Sequence, residues 1–79
     1  MSNADVVALT QIELKQARGL YEKVRVAGDQ LYQQRELLPA SAQPELVGAI
    51  SQAEDTLLSA LHDAQERMQR LEIVLAREG

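Results

Sequence analysis

The chain has 79 residues and a formal charge of −4, with 25% of positions charged and 46% apolar. At ~100–200 residues per domain it is one small domain, too apolar for a disordered tail and without the ~18 consecutive apolar residues of a membrane span. It has no Cys, no Trp, no Phe and one His, which excludes a disulfide framework and a thiolate zinc site.

Leu, Ala, Glu, Gln and Arg dominate, and all are good helix formers; strand-favouring aromatic and β-branched residues are scarce. The first five residues, Met-Ser-Asn-Ala-Asp, lack the basic start and apolar stretch of a secretory leader, so none is expected. Ser2 with Asp5 three residues on resembles a capping box. From about Ala4 to Leu38 the apolar residues follow a helical period. In a heptad frame, Ala17, Val24, Leu31 and Leu38 fall at a, Val6, Leu20 and Ala27 at d, and Val7, Leu14 and Tyr21 at e.

The run Pro39-Ala-Ser-Ala-Gln-Pro44 breaks the pattern, because proline lacks the N–H a helix interior needs and disfavours helix at the residue before it. A turn is predicted over about 39–43. Pro44 suits a first-turn position, with Glu45 favourable against the helix dipole and Ser41 or Gln43 as the cap. The second helix is predicted over about 44–77, with Gly79 just past its end. Here Ile50, Leu57, Ala64 and Leu71 fall at a, Leu46, Ala53, Ala60 and Val74 at d, and Val47, Leu61, Met68 and Leu75 at e, with Arg67 the main interruption. Two long helices joined by a short connection make an antiparallel hairpin. The expected fold is therefore all-α, a coiled-coil-like two-helix hairpin filling the whole chain, with the two a/d/e stripes facing each other.

A second apolar set remains. Leu9, Ile12, Gly19, Val26 and Leu37 lie within about a 100° arc on the far side of the first helix, taking ~100° per residue. Leu58 and Ile73 lie off the main stripe of the second. One reading of this set is scattered surface apolars, which are normal; the other is a second face for a partner or another copy, since a helix apolar on two sides usually has two neighbours. Below ~70–80 residues a lone core is thin without metal, disulfide or oligomerisation, so association with a partner is expected. Gly19, beside Ile12 and Val26, is a place for a partner backbone to approach closely, and Gly28 a place for a kink. Tyr21 and Tyr32 read as packing residues with a wet hydroxyl.

Charge and chemistry narrow the function. Through Leu38, five acids (Asp5, Glu13, Glu22, Asp29, Glu36) balance five bases (Lys15, Arg18, Lys23, Arg25, Arg35), so all of the net charge lies beyond it. An acidic chain with no basic stripe is a poor binder of nucleic acid and of anionic membranes. His62 falls on the solvent side near Asp55, Asp63 and Glu66, where a solvated histidine outweighs a metal ligand. No His shares a face with a Ser or Thr, and no Gly-rich loop is present. The expectation is a non-enzymatic chain with no cofactor, metal or small-molecule substrate.

The run Leu46-Val-Gly-Ala-Ile50-Ser-Gln-Ala-Glu54-Asp-Thr-Leu57-Leu resembles the second helix of the small type III secretion co-chaperones of the YscE/PscE/SsaE/EscE type. The preceding amphipathic segment, with Arg18, Leu20, Val24-Arg25 and Gln30-Leu31, and the Pro/Gln-containing turn are similar in order and spacing, so the likeness covers roughly Leu9 to Leu75. One departure is Pro44-Glu45-Leu46, where the family pattern has an aromatic. The resemblance implies a cytoplasmic bacterial co-chaperone. It would pair with a tetratricopeptide-like chaperone and keep the needle subunit soluble before export, covering apolar helical faces by helix-in-groove packing. Carried onto this chain, the contact role falls on Leu9, Ile12, Val26 and Tyr21, together with Gly19. The rival reading is a self-associating module in which far-side residues pair with another copy in a four-helix bundle, giving a homodimer of the isolated chain.

Overall fold

The structure is a computed structural model that describes residues 2–78. The chain forms two helices, α1 (Asn3–Glu36) and α2 (Pro44–Glu78), packed side by side as an antiparallel all-α hairpin. Gly79, the expected end signal of the second helix, lies outside the described residues.

Local chemistry sets the ends. Ser2 is the N-cap of α1: its backbone is extended and its hydroxyl accepts a hydrogen bond from the Asp5 N–H at 3.3 Å, satisfying one of the four orphan donors of the first turn. α1 stops at Glu36, two residues short of the expected Leu38. The reason is Pro39: its ring excludes the helical conformation at Leu38, so the helix closes through Leu37, whose N–H reaches the Gln33 and Gln34 carbonyls at 3.2 Å. In the connection the Ala42 N–H donates to the Pro39 carbonyl at 2.9 Å. α2 begins with Pro44 at its first position, where the missing N–H costs nothing. The Gln43 carbonyl accepts from the N–H groups of Leu46 and Val47, so Gln43, not Ser41, holds the cap position.

The two stripes do face each other, along a narrower line than the full a/d/e set. The seam is made by the a and e positions, which alternate in steps of three and four. On α1 these include Thr10, Leu14 and Ala17, all buried, with Val24 and Leu31 half-buried. On α2 they include Ile50, Glu54, Leu57, Leu61, Ala64, Met68, Leu71 and Leu75, of which Ala64 is buried and the rest half-buried, whereas Val47, expected on the facing stripe, is exposed at the start of the helix. Thr10 is the only buried polar residue among those described. Its hydroxyl donates to the Val6 carbonyl one turn back at 2.7 Å, so its burial leaves no orphaned donor. Burial is deepest at Ala17, 1% exposed, and at Leu14 and Ala64.

Three interhelical ion pairs report the geometry around this seam. Arg35, at e, meets Glu54, also at e, at 3.1 Å. Arg18 and Glu72, both at b, meet at 3.5 Å on one side of the seam. Glu13 and Arg67, both at d, bond to each other on the other side. The d rows of the two helices therefore share one lateral side of the hairpin instead of meeting in its middle, which corrects the expectation for Leu20, Leu46 and Ala53, all exposed. These exposed pairs mark register more than they stabilise, at roughly 0–1 kcal/mol each.

The result is a rod of 61 × 15 × 14 Å with a radius of gyration of 17.9 Å. A compact domain of this length has a radius near 12 Å. Two helices of this length have one seam and no third layer, so little of the chain is enclosed.

Candidate partner-binding surface

The outer side of α1 carries the residues singled out from the sequence. Leu9, Ile12, Gly19, Val26 and Leu37 are all exposed, with Ile12 at 55%. Relative to the seam at Leu14 and Ala17, Ile12, Gly19 and Val26 lie roughly 180° around the helix, at ~100° per residue. They form a row opposite the hairpin contact. Gly19 sits in the middle of that row, and a Cβ added there would meet nothing within 4 Å. The row is open to a helix or strand approaching from outside.

Tyr21 is placed differently. It occupies an e position, half-buried in the seam, and does not join the other four residues. Leu20, read from the sequence as part of the inner stripe, is 50% exposed. With Leu46 and Ala53 it belongs to the lateral side defined by the Glu13–Arg67 pair. Sequence patterning missed this because it assigned the whole a/d/e stripe to one contact, and nothing in hydrophobicity alone says on which flank a d residue lies.

A second concave feature lies between the helices. Gly28 falls at an e position, where the other helix presents Leu57, Leu58 and Leu61, and no atom lies within 4 Å of an added Cβ. The missing side chain leaves an open cavity of about 330 Å³, with Arg25, Tyr32 and Glu54 among its lining residues. Glu54, whose carboxylate is held by Arg35, and Gly28 are seam residues that an apolar pattern does not reveal.

The electrostatics are those of a solvated surface. Arg25 donates to Glu22 at 3.0 Å and to Asp29 at 3.2 Å, a run of alternating charge along one face of α1. The hydrogen bond from Arg25, with its charge, holds the Glu22 carboxyl below its ordinary value; reciprocally, Glu22 raises the Arg25 guanidinium. His62 Nε2 lies 3.2 Å from Glu66, one turn on, and both are exposed. No group of three or more His, Asp or Glu side chains among the described residues is placed to hold a metal ion. No helix among them is long and apolar enough to cross a membrane.

No protein family, curated protein or solved structure matches the chain. The fold class is that of an all-α helical hairpin, and the surface it offers is apolar, convex and helical.

Proposed function

We propose that this chain is a protein-binding helical hairpin acting as a co-chaperone in type III secretion. In this reading it pairs with a tetratricopeptide-like chaperone in the bacterial cytoplasm and helps keep the needle subunit soluble before export. The observation that carries the reading is the exposed outer row of α1, Leu9, Ile12, Gly19 and Val26, on a hairpin whose own seam leaves that row unused. The resemblance of segments 18–31 and 46–58 to the co-chaperone family supports the choice of partner.

The physical logic is that of a surrogate helix pair. A tetratricopeptide groove is built from helix pairs and binds extended or helical segments by their apolar anchors. An outer row at i, i+3 and whole-turn spacings matches that kind of groove, and Gly19 permits a close backbone approach. Tyr21, which the seam holds, acts by positioning α1 and not by direct contact.

The test is co-expression with a tetratricopeptide-like chaperone and a needle subunit, followed by co-purification on a tag on the chaperone. Wild-type chain is expected in the complex, and Ile12→Asp and Val26→Asp are expected to be lost from it while the isolated variants keep their helical circular dichroism. Co-purification that survives both changes places the interface on another face and overturns this assignment.

A further inference from the structure

We propose that the open cavity beside Gly28 is a docking pocket for a protein partner, taking one bulky apolar side chain with a lysine or arginine next to it in the partner's sequence. Arg25, Tyr32 and Leu58, which line the cavity, are all at b, so it opens on the side of the hairpin where Arg18 meets Glu72. Between the ends of the rod the two b rows are otherwise polar, with Gln11, Arg18 and Arg25 on α1 and Ser51, Gln65 and Glu72 on α2. Apolar surface interrupts them at the cavity, where Tyr32 is 53% exposed and Leu58 63%. A helix laid along the rod needs a stripe repeated every three or four residues; a single apolar spot suits one anchoring side chain.

Size and shape favour an anchor carried by a protein. At about 330 Å³ the cavity stands at the bottom of the ~300–1,000 Å³ range of ligand pockets. Because it is open, a free small molecule there keeps one face in water. A side chain brought by a partner is covered by the partner itself, whose surrounding contacts exclude water from the anchor. The Tyr32 ring favours an aromatic anchor, through offset or edge-to-face packing. Charge selects the residue beside it. The charged lining residues are Arg25, Asp29 and Glu54. Arg25 is engaged by Glu22 at 3.0 Å and Asp29 at 3.2 Å, and Glu54 by Arg35 at 3.1 Å. Three carboxylates against two guanidiniums leave one negative charge, and Asp55, one turn before Leu58, adds to it. A cation beside the anchor complements this rim and an anion is repelled. Arg25 and Tyr32 lie roughly 100° or more around α1 from Val26, at ~100° per residue, so the pocket is separate from the outer row and independent of its partner.

The test is a nuclear magnetic resonance titration of the ¹⁵N-labelled full chain with three blocked dipeptides: N-acetyl-Phe-Lys-amide, N-acetyl-Phe-Glu-amide and N-acetyl-Ala-Lys-amide. The Phe-Lys peptide is expected to shift the backbone amides of Gly28, Leu57 and Leu61 saturably. The Phe-Glu peptide is expected to bind at least threefold more weakly, and the Ala-Lys peptide to leave these amides unmoved. Gly28→Leu, a helix-favouring change that puts a side chain into the cavity, is expected to abolish the Phe-Lys shifts with helical circular dichroism retained. Asp29→Asn, which leaves the cavity open, is expected to narrow the gap between the Phe-Lys and Phe-Glu peptides. Absence of saturable shifts at these amides overturns the proposal, as do shifts that persist in Gly28→Leu. Equal binding of the Phe-Glu or the Ala-Lys peptide overturns it too, and so does a gap that Asp29→Asn leaves unchanged.

Discussion

Gly28→Ala isolates the cost of leaving a seam position empty. Glycine inside a helix is about 0.8–1.0 kcal/mol less favourable than alanine. Against that gain stands any clash of the new methyl, and at Gly28 there is none: an added Cβ has no neighbour within 4 Å. The methyl projects into the open cavity beside Leu57, Leu58 and Leu61, where partial burial adds a fraction of the ~0.8 kcal/mol of a fully buried methylene. The net expectation is a stabilisation of about 1 kcal/mol. Unfolding entropy near 2.1 cal/mol/K per residue, over 79 residues, converts this to a rise in Tm of about 6 °C. The assay is thermal melting by circular dichroism at 222 nm, with both proteins at the same concentration so that any association acts equally on the two melts. An unchanged or lowered Tm refutes the reasoning, since it requires α1 to close on something at Gly28 that the open cavity does not contain.

Two further outcomes follow from the same geometry. Leu14→Ala removes the largest of the buried apolar side chains and should cost about 2–4 kcal/mol; against a total of about 4–12 kcal/mol for a chain of this size, the urea midpoint should fall by about a sixth or more, and a shift under a tenth would show that Leu14 is not enclosed. The Glu22 carboxyl, held low by Arg25 from an ordinary value of 4.5, contributes stability above that value and loses it as the pH falls through the lowered one. The Tm advantage of wild type over Glu22→Gln should therefore be present at pH 7 and shrink below pH 4.5, and a gap that stays constant down to pH 3 would contradict the Arg25 contact.

The fold was legible in the sequence because its determinants are local. Pro39 and Pro44 bracket the turn, Ser2 caps the first helix through its hydroxyl alone and without the reciprocal Asp5 bond of a capping box, and the a and e leucines and alanines name the faces that meet. The helix end moved by two residues, since the restraint of a proline acts on the residue before it and the closing hydrogen bonds need one residue more. What the sequence did not reveal was sidedness. Thr10, Gly28, Arg35 and Glu54 occupy seam positions without being apolar, so a pattern read from hydrophobicity skips them and widens to include the d row instead. Thr10 is acceptable there because its hydroxyl is satisfied within its own helix, and Glu54 because Arg35 reaches it. Only the pairing of Glu13 with Arg67, residues far apart in the chain, fixes the side on which that row lies. The outer row at Ile12, Gly19 and Val26 was legible because nothing in a two-helix hairpin can reach it.

The deepest burial, at Leu14, Ala17 and Ala64, lies near the middle of the rod and away from its turn. The connecting residues 37–43 therefore serve as a tether more than as a brace. Closing a flexible loop costs only about 0.6 kcal/mol more for each doubling of its length, so a chain lengthened near Ala40 and Ser41 should hold its hairpin almost unchanged. The same placement gives the molecule a natural site for insertion of a reporter or an affinity tag, away from Ile12, Gly19 and Val26 in the body of the rod.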